Sequence, residues 1–307
     1  MRFLVLGAGA VGGYFGGRLA EAGRDVTFLV RGARIDQLAQ HGLHVESPLG
    51  DFRVPARIAT ADQLGGPYDV VLLTAKHYDL DGAIAAIRPA VGPRTAVLPL
   101  LNGLLHLDRL DAAFGAEHVL GGVAYVGAVL LPDGSIRHVN RLSGIAFGER
   151  SGAVSERARA IAAEFAGTPV SAPASADIML DMWEKFVFIT AMAGMNCLFR
   201  GNIGEIVATC DGSALMLDAL AECRAVATAA GFAPRPHAME PVERLLTEPG
   251  GVNSASMRQD LEAGRRTEAD AIIGDMLRRA AGFGLATPLL RAAYCALQVH
   301  ENRLARR

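Results

Sequence analysis

The sequence predicts an α/β domain built on a parallel sheet, followed by an all-α domain. At 307 residues the chain is longer than one hydrophobic core usually supports. Its first half alternates short apolar β-type runs with helical patterns, which is typical of a parallel sheet with crossover helices. Its last third shows only helical periodicity. The segment 168–176 is rich in Pro, Ser and Ala, and we place the boundary there, giving domains 1–172 and 173–307.

The elements of the first domain follow from these apolar runs. We predict four parallel strands and an opening helix at Val11–Ala22; the strands are Arg2–Leu6, Asp25–Val30, Val70–Thr74 and Thr95–Pro99. Residues 119–149 carry strand-like runs around a Pro132-Asp133-Gly134 turn. We expect these runs to form antiparallel strands that close the edge of the parallel sheet.

The second domain is predicted to contain only helices. Their apolar spacing places them at Asp181–Phe199, Asp211–Ala230, Pro241–Leu246, Ser254–Ala281 and Pro288–Leu304. The fourth of these, Ser254–Ala281, is expected to be one continuous helix.

Composition excludes several classes of protein. A net charge of −2 provides no basic field for nucleic acid. Glycines interrupt the apolar N-terminal run, unlike a signal peptide, and the longest apolar stretch, 186–195, is about half a membrane span. The Cys and His residues lack the spacing of a metal site. We therefore expect a cytoplasmic, soluble protein that binds neither metal, nucleic acid nor membrane.

A glycine-rich segment marks the first βα turn. It follows an apolar strand and opens a helix, and it reads Gly7-Ala8-Gly9-Ala10-Val11-Gly12. This is the Rossmann dinucleotide fingerprint in its required context, where the first glycine makes the turn, the second admits the pyrophosphate and the third packs helix on strand. All six residues are predicted to bind the cofactor. The alternative is a glycine-rich turn without a ligand.

The second strand indicates which dinucleotide is bound. NAD enzymes carry an acidic residue about 20 residues after the glycines, but here Arg31 follows the strand and no acid is present. Because a guanidinium suits a 2′-phosphate, we predict NADPH/NADP+. A solvated arginine is the alternative. Lys76 and Asn102 follow two further strands, at the sheet edge where ligands of such folds bind.

Lysine is unusually rare in this chain. Of 30 basic residues, only Lys76 and Lys185 are lysines, and a lysine can lose its proton where an arginine cannot. Lys185 is predicted to lie near the start of a helix whose next turns are apolar, so burial could lower its pKa and make it a general acid. Alternatively, it reaches water or pairs with Asp181 one turn earlier. A further alternative is that the two lysines are present by chance and have no special role.

Glu268 is predicted to lie among apolar side chains. It shares spacings of four and seven with Met257, Leu261 and Ile272, which would place its carboxylate on the apolar stripe of a helix. A buried ion pair with an arginine is the alternative to a functional role.

Together these residues resemble the ketopantoate reductase (2-dehydropantoate 2-reductase) family over essentially the whole chain. The resemblance rests on the glycine segment with Arg31, and on motifs that read Thr74-x-Lys76, Asn102-Gly103, Trp183-Glu184-Lys185, Asn253-x-x-Ser256-Met257-x-Gln259-Asp260 and Arg266-Thr267-Glu268. It implies a helical domain like the C-terminal domain of 6-phosphogluconate dehydrogenase. It also implies reduction of 2-dehydropantoate to (R)-pantoate by NADPH, a step of pantothenate biosynthesis toward coenzyme A.

The resemblance also implies roles for single residues. Lys185 would donate the proton, and Glu268 would bind the substrate hydroxyl or orient Lys185. Lys76 and Asn102 would lie near the nicotinamide, and Asn253 and Ser256, with Asn102, would bind substrate. Capping of a helix start would explain either Asn253 or Ser256 equally well. The implied small-molecule partner is a 2-oxo acid. The implied protein partner, if the chain oligomerises, is a second copy of the chain in a homodimer.

One departure from the family leaves the substrate open. Members that act on ketopantoate typically carry asparagines one and two turns after the lysine, where this chain has Ile189 and Ala193; Asn196 lies nearby but out of that register. The substrate is therefore either ketopantoate or a more apolar 2-oxo or β-hydroxy acid. A non-catalytic NADPH-binding sensor is the alternative from another class.

Overall fold

A computed structural model describes residues 1–306, and they form two compact units. One unit comprises Met1–Leu101 and His106–Met179, and the other comprises Asn102–Leu105 and the chain from Leu180 onward. The predicted domain boundary after residue 172 stays a prediction. The sequence did not indicate that Asn102–Leu105 belongs with the helical unit.

The first unit contains the predicted parallel sheet. Its strands are β1 (Arg2–Leu6), β2 (Asp25–Leu29), β5 (Ile58–Ala59), β6 (Val70–Leu73) and β7 (Ala96–Pro99), in the order β5-β2-β1-β6-β7. All four pairings are parallel, and β1 pairs with β2 from Arg2 opposite Asp25 to Leu6 opposite Leu29. The chain therefore crosses from one side of β1 to the other after β5, as in a doubly wound dinucleotide-binding fold.

A second sheet corrects one sequence prediction. The strands β8 (Gly121–Leu130) and β9 (Ile136–Gly148) do not close the parallel sheet; they belong to a separate sheet of order β4-β3-β9-β8, with β3 at Leu43–Glu46 and β4 at Phe52–Val54. The physical reason is that β3 offers β9 a parallel partner, with Val45 opposite Ile136. The sequence analysis did not predict β3.

Helix α1 (Ala10–Glu21) is buried between the two sheets. A Cβ atom at Gly16 would lie 2.8 Å from side chains of the parallel sheet, and one at Gly17 would lie 2.8 Å from Leu43 of the second sheet. Because both faces are this close, α1 needs residues without side chains where it meets each sheet. The remaining helices of this unit are α2 (Ala33–His41), α3 (Leu80–Ile87), α4 (His106–Phe114) and α5 (Glu156–Glu164), with short 3₁₀ turns at Ala61–Gln63, His77–Asp79 and Arg88–Ala90.

The second unit is helical, as predicted. Its helices are α6 (Ile178–Phe199, whose first two residues precede the unit), α7 (Ile203–Val207), α8 (Gly212–Ala229), α9 (Pro236–Leu246), α10 (Ser256–Glu262), a π-helix (Asp270–Gly274), α11 (Asp275–Gly282) and α12 (Pro288–Leu304). Within residues 1–306, no helix is both long enough and apolar enough to span a membrane.

The single helix predicted over Ser254–Ala281 is wrong. α10 ends at Glu262, and Gly264 then adopts a left-handed φ of +64°, a conformation that glycine adopts readily. The chain turns there and resumes as the π-helix. Apolar spacing continued across this break by coincidence.

A buried histidine at the start of α4 makes the stability of the first unit depend on pH. His106 is fully buried, neither ring nitrogen has a hydrogen-bond partner, and burial, with His77 and Arg150 nearby, lowers the pKa of His106 to about 3. The unfolded chain takes up this proton near pH 6.5, so this contribution to stability is complete above that pH and is lost as the pH falls.

We expect His106→Leu to flatten the acid dependence of unfolding. Between pH 7.5 and 5 the wild type should lose about 2 kcal/mol through this one group, and the variant should not. Urea denaturation at both pH values measures the difference. An equal loss in the variant would assign the proton uptake to another group.

Candidate functional site

The glycine segment lies where the β1 strand meets α1. Gly7 has a φ of +88°, and its N–H donates to the Leu29 carbonyl at 2.9 Å. A Cβ at Gly12 would lie 2.2 Å from the Gly7 carbonyl oxygen and 2.3 Å from Thr74 Oγ1, whereas one at Gly9 would have no protein atom within 4 Å. Gly12 is thus required by packing, and Gly9 leaves open space beside the backbone. The segment fits a dinucleotide pyrophosphate, which needs that close approach.

The ends of the neighbouring strands are tied to this segment. Thr74 Oγ1 donates to the Leu6 carbonyl at 2.7 Å, so the end of β6 is fixed to the end of β1. Lys76 follows two residues later and precedes the 3₁₀ turn His77–Asp79. The structure therefore brings the start of the Thr74-x-Lys76 motif beside the glycine segment; the role of Lys76 toward a cofactor stays a prediction.

Arg31 lies on the surface after β2. Its side chain is 83% exposed, and its Nη2 lies 3.2 Å from Asp79 Oδ2. An exposed guanidinium paired with one carboxylate can exchange that partner for a phosphate at small cost, because a surface ion pair contributes little. The role of Arg31 toward the 2′-phosphate stays a prediction.

Sequence reasoning missed Arg34, which supports the glycine segment from α2. Its Nε donates to the Ala8 carbonyl at 3.0 Å, and its Nη1 donates to the Gly134 carbonyl at 2.6 Å. Partial burial lowers the pKa of Arg34. Arg34 thus links the segment to the β8–β9 turn. Only its charge after a strand signalled it, and that signal also fits a solvated residue.

In the helical unit, Lys185 lies on the second turn of α6. Burial lowers the pKa of Lys185 to about 8, and the nearby Glu268 carboxylate acts against that shift. Asp181, the alternative partner considered from the sequence, forms an ion pair with Arg235, as does Glu184 at 2.6 Å. These contacts fix the first turns of α6 on the flanks of Lys185.

Glu268 is buried, but not for the reason given by the sequence. Its exposed fraction is 8%, although the helix that was to carry it breaks at Gly264. It lies instead just before the π-helix, a rare element that is frequent at functional sites. A carboxylate buried to this degree needs a charged or polar partner, and its effect on the pKa of Lys185 places the two charges near each other.

The Asn102-Gly103 motif joins this pair. Gly103 has a φ of +79°, and a Cβ there would lie 3.0 Å from the Ala271 carbonyl oxygen and 3.6 Å from the Phe186 ring. Phe186 follows Lys185, and Ala271 comes three residues after Glu268. The structure therefore brings Asn102, Lys185 and Glu268, which are distant in sequence, to one region of the helical unit.

Asn253 and Ser256 are exposed at the start of α10. The helix is capped by Ala255 without any side-chain hydrogen bond, so capping, the alternative considered for one of them, explains neither. Their side chains stay available for a ligand. Ile189 and Ala193 lie on α6, where Ala193 is buried.

Comparison with known proteins gives this geometry a context. The family model "Ketopantoate reductase PanE/ApbA" matches residues 3–152, and "Ketopantoate reductase PanE/ApbA C terminal" matches residues 177–301. The chain is 37% identical to the "Uncharacterized oxidoreductase YkpB" of Bacillus subtilis over 98% of this chain and 99% of the relative. It is 30% identical to the 2-dehydropantoate 2-reductase of Mesorhizobium japonicum over 89% of each chain.

A solved structure has the same fold. The PanE/ApbA family ketopantoate reductase from Ralstonia eutropha JMP134 superposes with a TM-score of 0.87 at 28% identity, covering 99% of this chain and 100% of the other. The prediction of an α/β dinucleotide-binding domain followed by a helical domain is thereby confirmed.

Two glycine substitutions should separate cofactor binding from folding. Gly9→Ala meets no protein atom, so the variant should melt within about 2 °C of wild type but bind NADPH roughly tenfold more weakly, a change of about 1.4 kcal/mol. Gly12→Ala must displace backbone and should lose about 1–3 kcal/mol of stability. Thermal melting and NADPH fluorescence titration measure both effects. Unchanged NADPH affinity in Gly9→Ala would contradict the site.

Proposed function

This chain belongs to the ketopantoate reductase family, and we propose that it reduces a 2-oxo acid to the 2-hydroxy acid with NADPH and Lys185 as the proton donor. It is an oxidoreductase of the 2-dehydropantoate 2-reductase type that uses a nicotinamide dinucleotide. The proposed substrate is 2-dehydropantoate, giving (R)-pantoate, or a 2-oxo acid with a more apolar side chain. The observation that carries the proposal is the pairing of the half-buried Lys185 with the buried Glu268 carboxylate, beside the Asn102-Gly103 segment.

The cofactor would be held by residues of the first unit. The open backbone at Gly9 would receive the pyrophosphate, Arg31 the 2′-phosphate, and Lys76 the nicotinamide end. When bound, NADPH supplies a hydride to the keto carbon. Arg31 stands where NAD enzymes have a carboxylate, and this supports NADPH over NADH.

Lys185 would supply the proton. As the keto carbon accepts the hydride, negative charge develops on its oxygen, and an ammonium at that oxygen stabilises the charge and then protonates it. A pKa near 8 keeps Lys185 protonated at neutral pH while making it a better acid than an exposed lysine. The nearby Glu268 carboxylate favours the protonated form of Lys185 and so opposes the effect of desolvation on its pKa.

Asn253 and Ser256 would bind the carboxylate end of the substrate. Both are polar and exposed at the start of α10, and an N–H and a hydroxyl are suitable donors to a carboxylate. Ile189 and Ala193 would form an apolar wall on α6. An apolar wall favours a substrate with a less polar side chain, whereas the asparagines of the family would bind polar groups.

The proton donor gives reduction a defined pH dependence. Since Lys185 must be protonated, kcat for reduction should fall as the pH rises through about 8. Lys185→Ala should lower kcat by roughly 100- to 10,000-fold and leave NADPH affinity unchanged. Steady-state rates from pH 6 to 10 and NADPH titration measure both. An unimpaired Lys185→Ala enzyme would remove Lys185 from the chemistry.

Glu268→Gln tests the pairing directly. The Glu268 charge raises the pKa of Lys185 against desolvation, so its removal should move the alkaline limb of the rate profile to lower pH. A limb that stays in place or moves upward would separate the two residues. Glu262→Gln, an exposed carboxylate at the end of α10, is the matched control and should leave the profile unchanged.

The substrate is tested by NADPH oxidation at 340 nm with 2-dehydropantoate and a panel of 2-oxo acids of increasing apolar size, repeated with NADH. We expect turnover with NADPH, and Ile189→Asn with Ala193→Asn should shift kcat/KM toward 2-dehydropantoate relative to apolar 2-oxo acids. One or two polar contacts change such a ratio by roughly 10- to 100-fold. An unchanged ratio would exclude the apolar wall as the determinant.

A further inference from the structure

A buried asparagine on α6 connects that helix to the segment that carries Asn253 and Ser256. Asn196 is fully buried. Its Oδ1 accepts the N–H of Ala255 at 3.0 Å, and its Nδ2 donates to the Gly201 carbonyl at 2.8 Å. Both ends of the amide are therefore hydrogen-bonded to backbone groups of the protein. In this respect Asn196 differs from the family's asparagines one and two turns after the lysine, which would face a ligand.

The position of Asn196 on α6 follows that of Lys185. The two are eleven residues apart, close to three full turns of 3.6 residues, so they lie on the same face of the helix. Ala255, the backbone partner of Asn196, lies between Asn253 and Ser256. One helix face thus carries the proposed proton donor at one end and holds the proposed substrate-binding segment at the other.

The turn that receives the second hydrogen bond is conformationally costly. Arg200 has a φ of +54°, uncommon for a residue with a side chain. The Nδ2 hydrogen bond to Gly201 holds the next residue of this turn. Immediately afterwards, the N–H groups of Ile203 and Gly204 donate to the carbonyls of Asn253 and Gly251, at 3.1 and 2.7 Å.

The same segment is held closely from its other side. A Cβ at Gly204 would lie 2.6 Å from backbone atoms of Gly250 and Gly251, so α7 and the segment 250–255 are in backbone contact. The side chains of Asn253 and Ser256 stay exposed. The hydrogen bonds that reach the segment from Asn196, Ile203 and Gly204 all go to its backbone, so the segment is fixed while its polar side chains are left to a ligand.

We infer that Asn196 is a positioning residue that fixes the segment 253–256, with Asn253 and Ser256, relative to Lys185. The inference rests on the proposed function for what the segment binds, but the anchoring itself does not. If Asn196 is shortened, the Ala255 N–H and the Gly201 carbonyl lose their hydrogen-bond partner inside the protein, which is unfavourable. The segment should therefore open more often. Substrate binding would then weaken before hydride transfer does.

The test compares Asn196→Ala, Asn196→Asp and Thr190→Val. Asn196→Asp keeps an acceptor for the Ala255 N–H. Thr190 is also fully buried on α6 and its hydroxyl has no partner, so Thr190→Val is a matched control without a lost hydrogen bond. For each protein we would measure amide hydrogen exchange over residues 251–261, NADPH affinity, and kcat and KM for the 2-oxo acid.

We expect Asn196→Ala to speed exchange at the Ala255 amide and to raise substrate KM, each by about tenfold, with NADPH affinity unchanged and kcat reduced less than KM is raised. Asn196→Asp should keep the Ala255 amide protected, and Thr190→Val should match wild type. Wild-type exchange and wild-type KM in Asn196→Ala would overturn the inference.

Failure of the proposed function gives a different result. If the wild type turns over none of the 2-oxo acids, the kinetic part falls with the proposed function, while faster exchange in Asn196→Ala still supports the anchor. Should Asn196→Ala not fold, Asn196→Asp decides: unprotected exchange at Ala255 despite the retained acceptor would contradict the role assigned to the Oδ1 contact.

Discussion

The packing of α1 between two sheets is the constraint on which the cofactor end of this protein depends. The helix meets β1 and β2 on one side and β3, β4 and β9 on the other, with would-be Cβ contacts below 3 Å on both faces. Only a helix with glycines at those positions fits. Since the same close packing at Gly12 brings the start of α1 against Gly7 and Thr74, the loop that precedes the helix has little freedom. Its backbone is preorganised to receive an anion.

A second constraint acts in the helical unit, where the half-buried Lys185 lies near the buried Glu268 carboxylate. Desolvation alone would push the pKa of Lys185 below 8, and Glu268 alone would raise it. Because these two effects oppose each other, the Lys185 ammonium stays protonated at neutral pH and is still more acidic than that of an exposed lysine. The ion pairs of Arg235 with Asp181 and Glu184 give α6 a rigid start, so the balance is set by fixed geometry.

The sequence predicted what is encoded locally. The glycine segment, its strand and its helix were identified because all their determinants lie within about 25 residues, and both lysines stood out because the chain has no others. What it missed depends on distant partners. The strand β3 has four residues, and besides its short antiparallel pairing with β4 it pairs with β9, some 90 residues away. Arg34 and Asn196 act through backbone carbonyls and amides that no side-chain pattern records.

Glu268 is buried for a reason that apolar spacing did not indicate. Spacings of four and seven continued past Gly264, and periodicity could not detect a left-handed glycine that ended the helix. Burial of Glu268 was nevertheless right, because the π-helix that follows is itself buried apart from Asp270. The role predicted for this carboxylate therefore depends on its proximity to Lys185 and not on a helix shared with Met257 and Leu261.

The face of α6 that carries Lys185 explains how substrate choice could change while the chemistry is kept. At 100° per residue, Lys185, Ile189, Ala193 and Asn196 all lie within a quarter turn. The two ends of this row carry the proposed proton donor, Lys185, and the proposed anchor of the segment 253–256, Asn196. The two positions between them, Ile189 and Ala193, take part in neither proposed role. In the proposed site, Ile189 and Ala193 in place of polar residues would change the surroundings of the substrate side chain and would leave Lys185 and Asn196 in place.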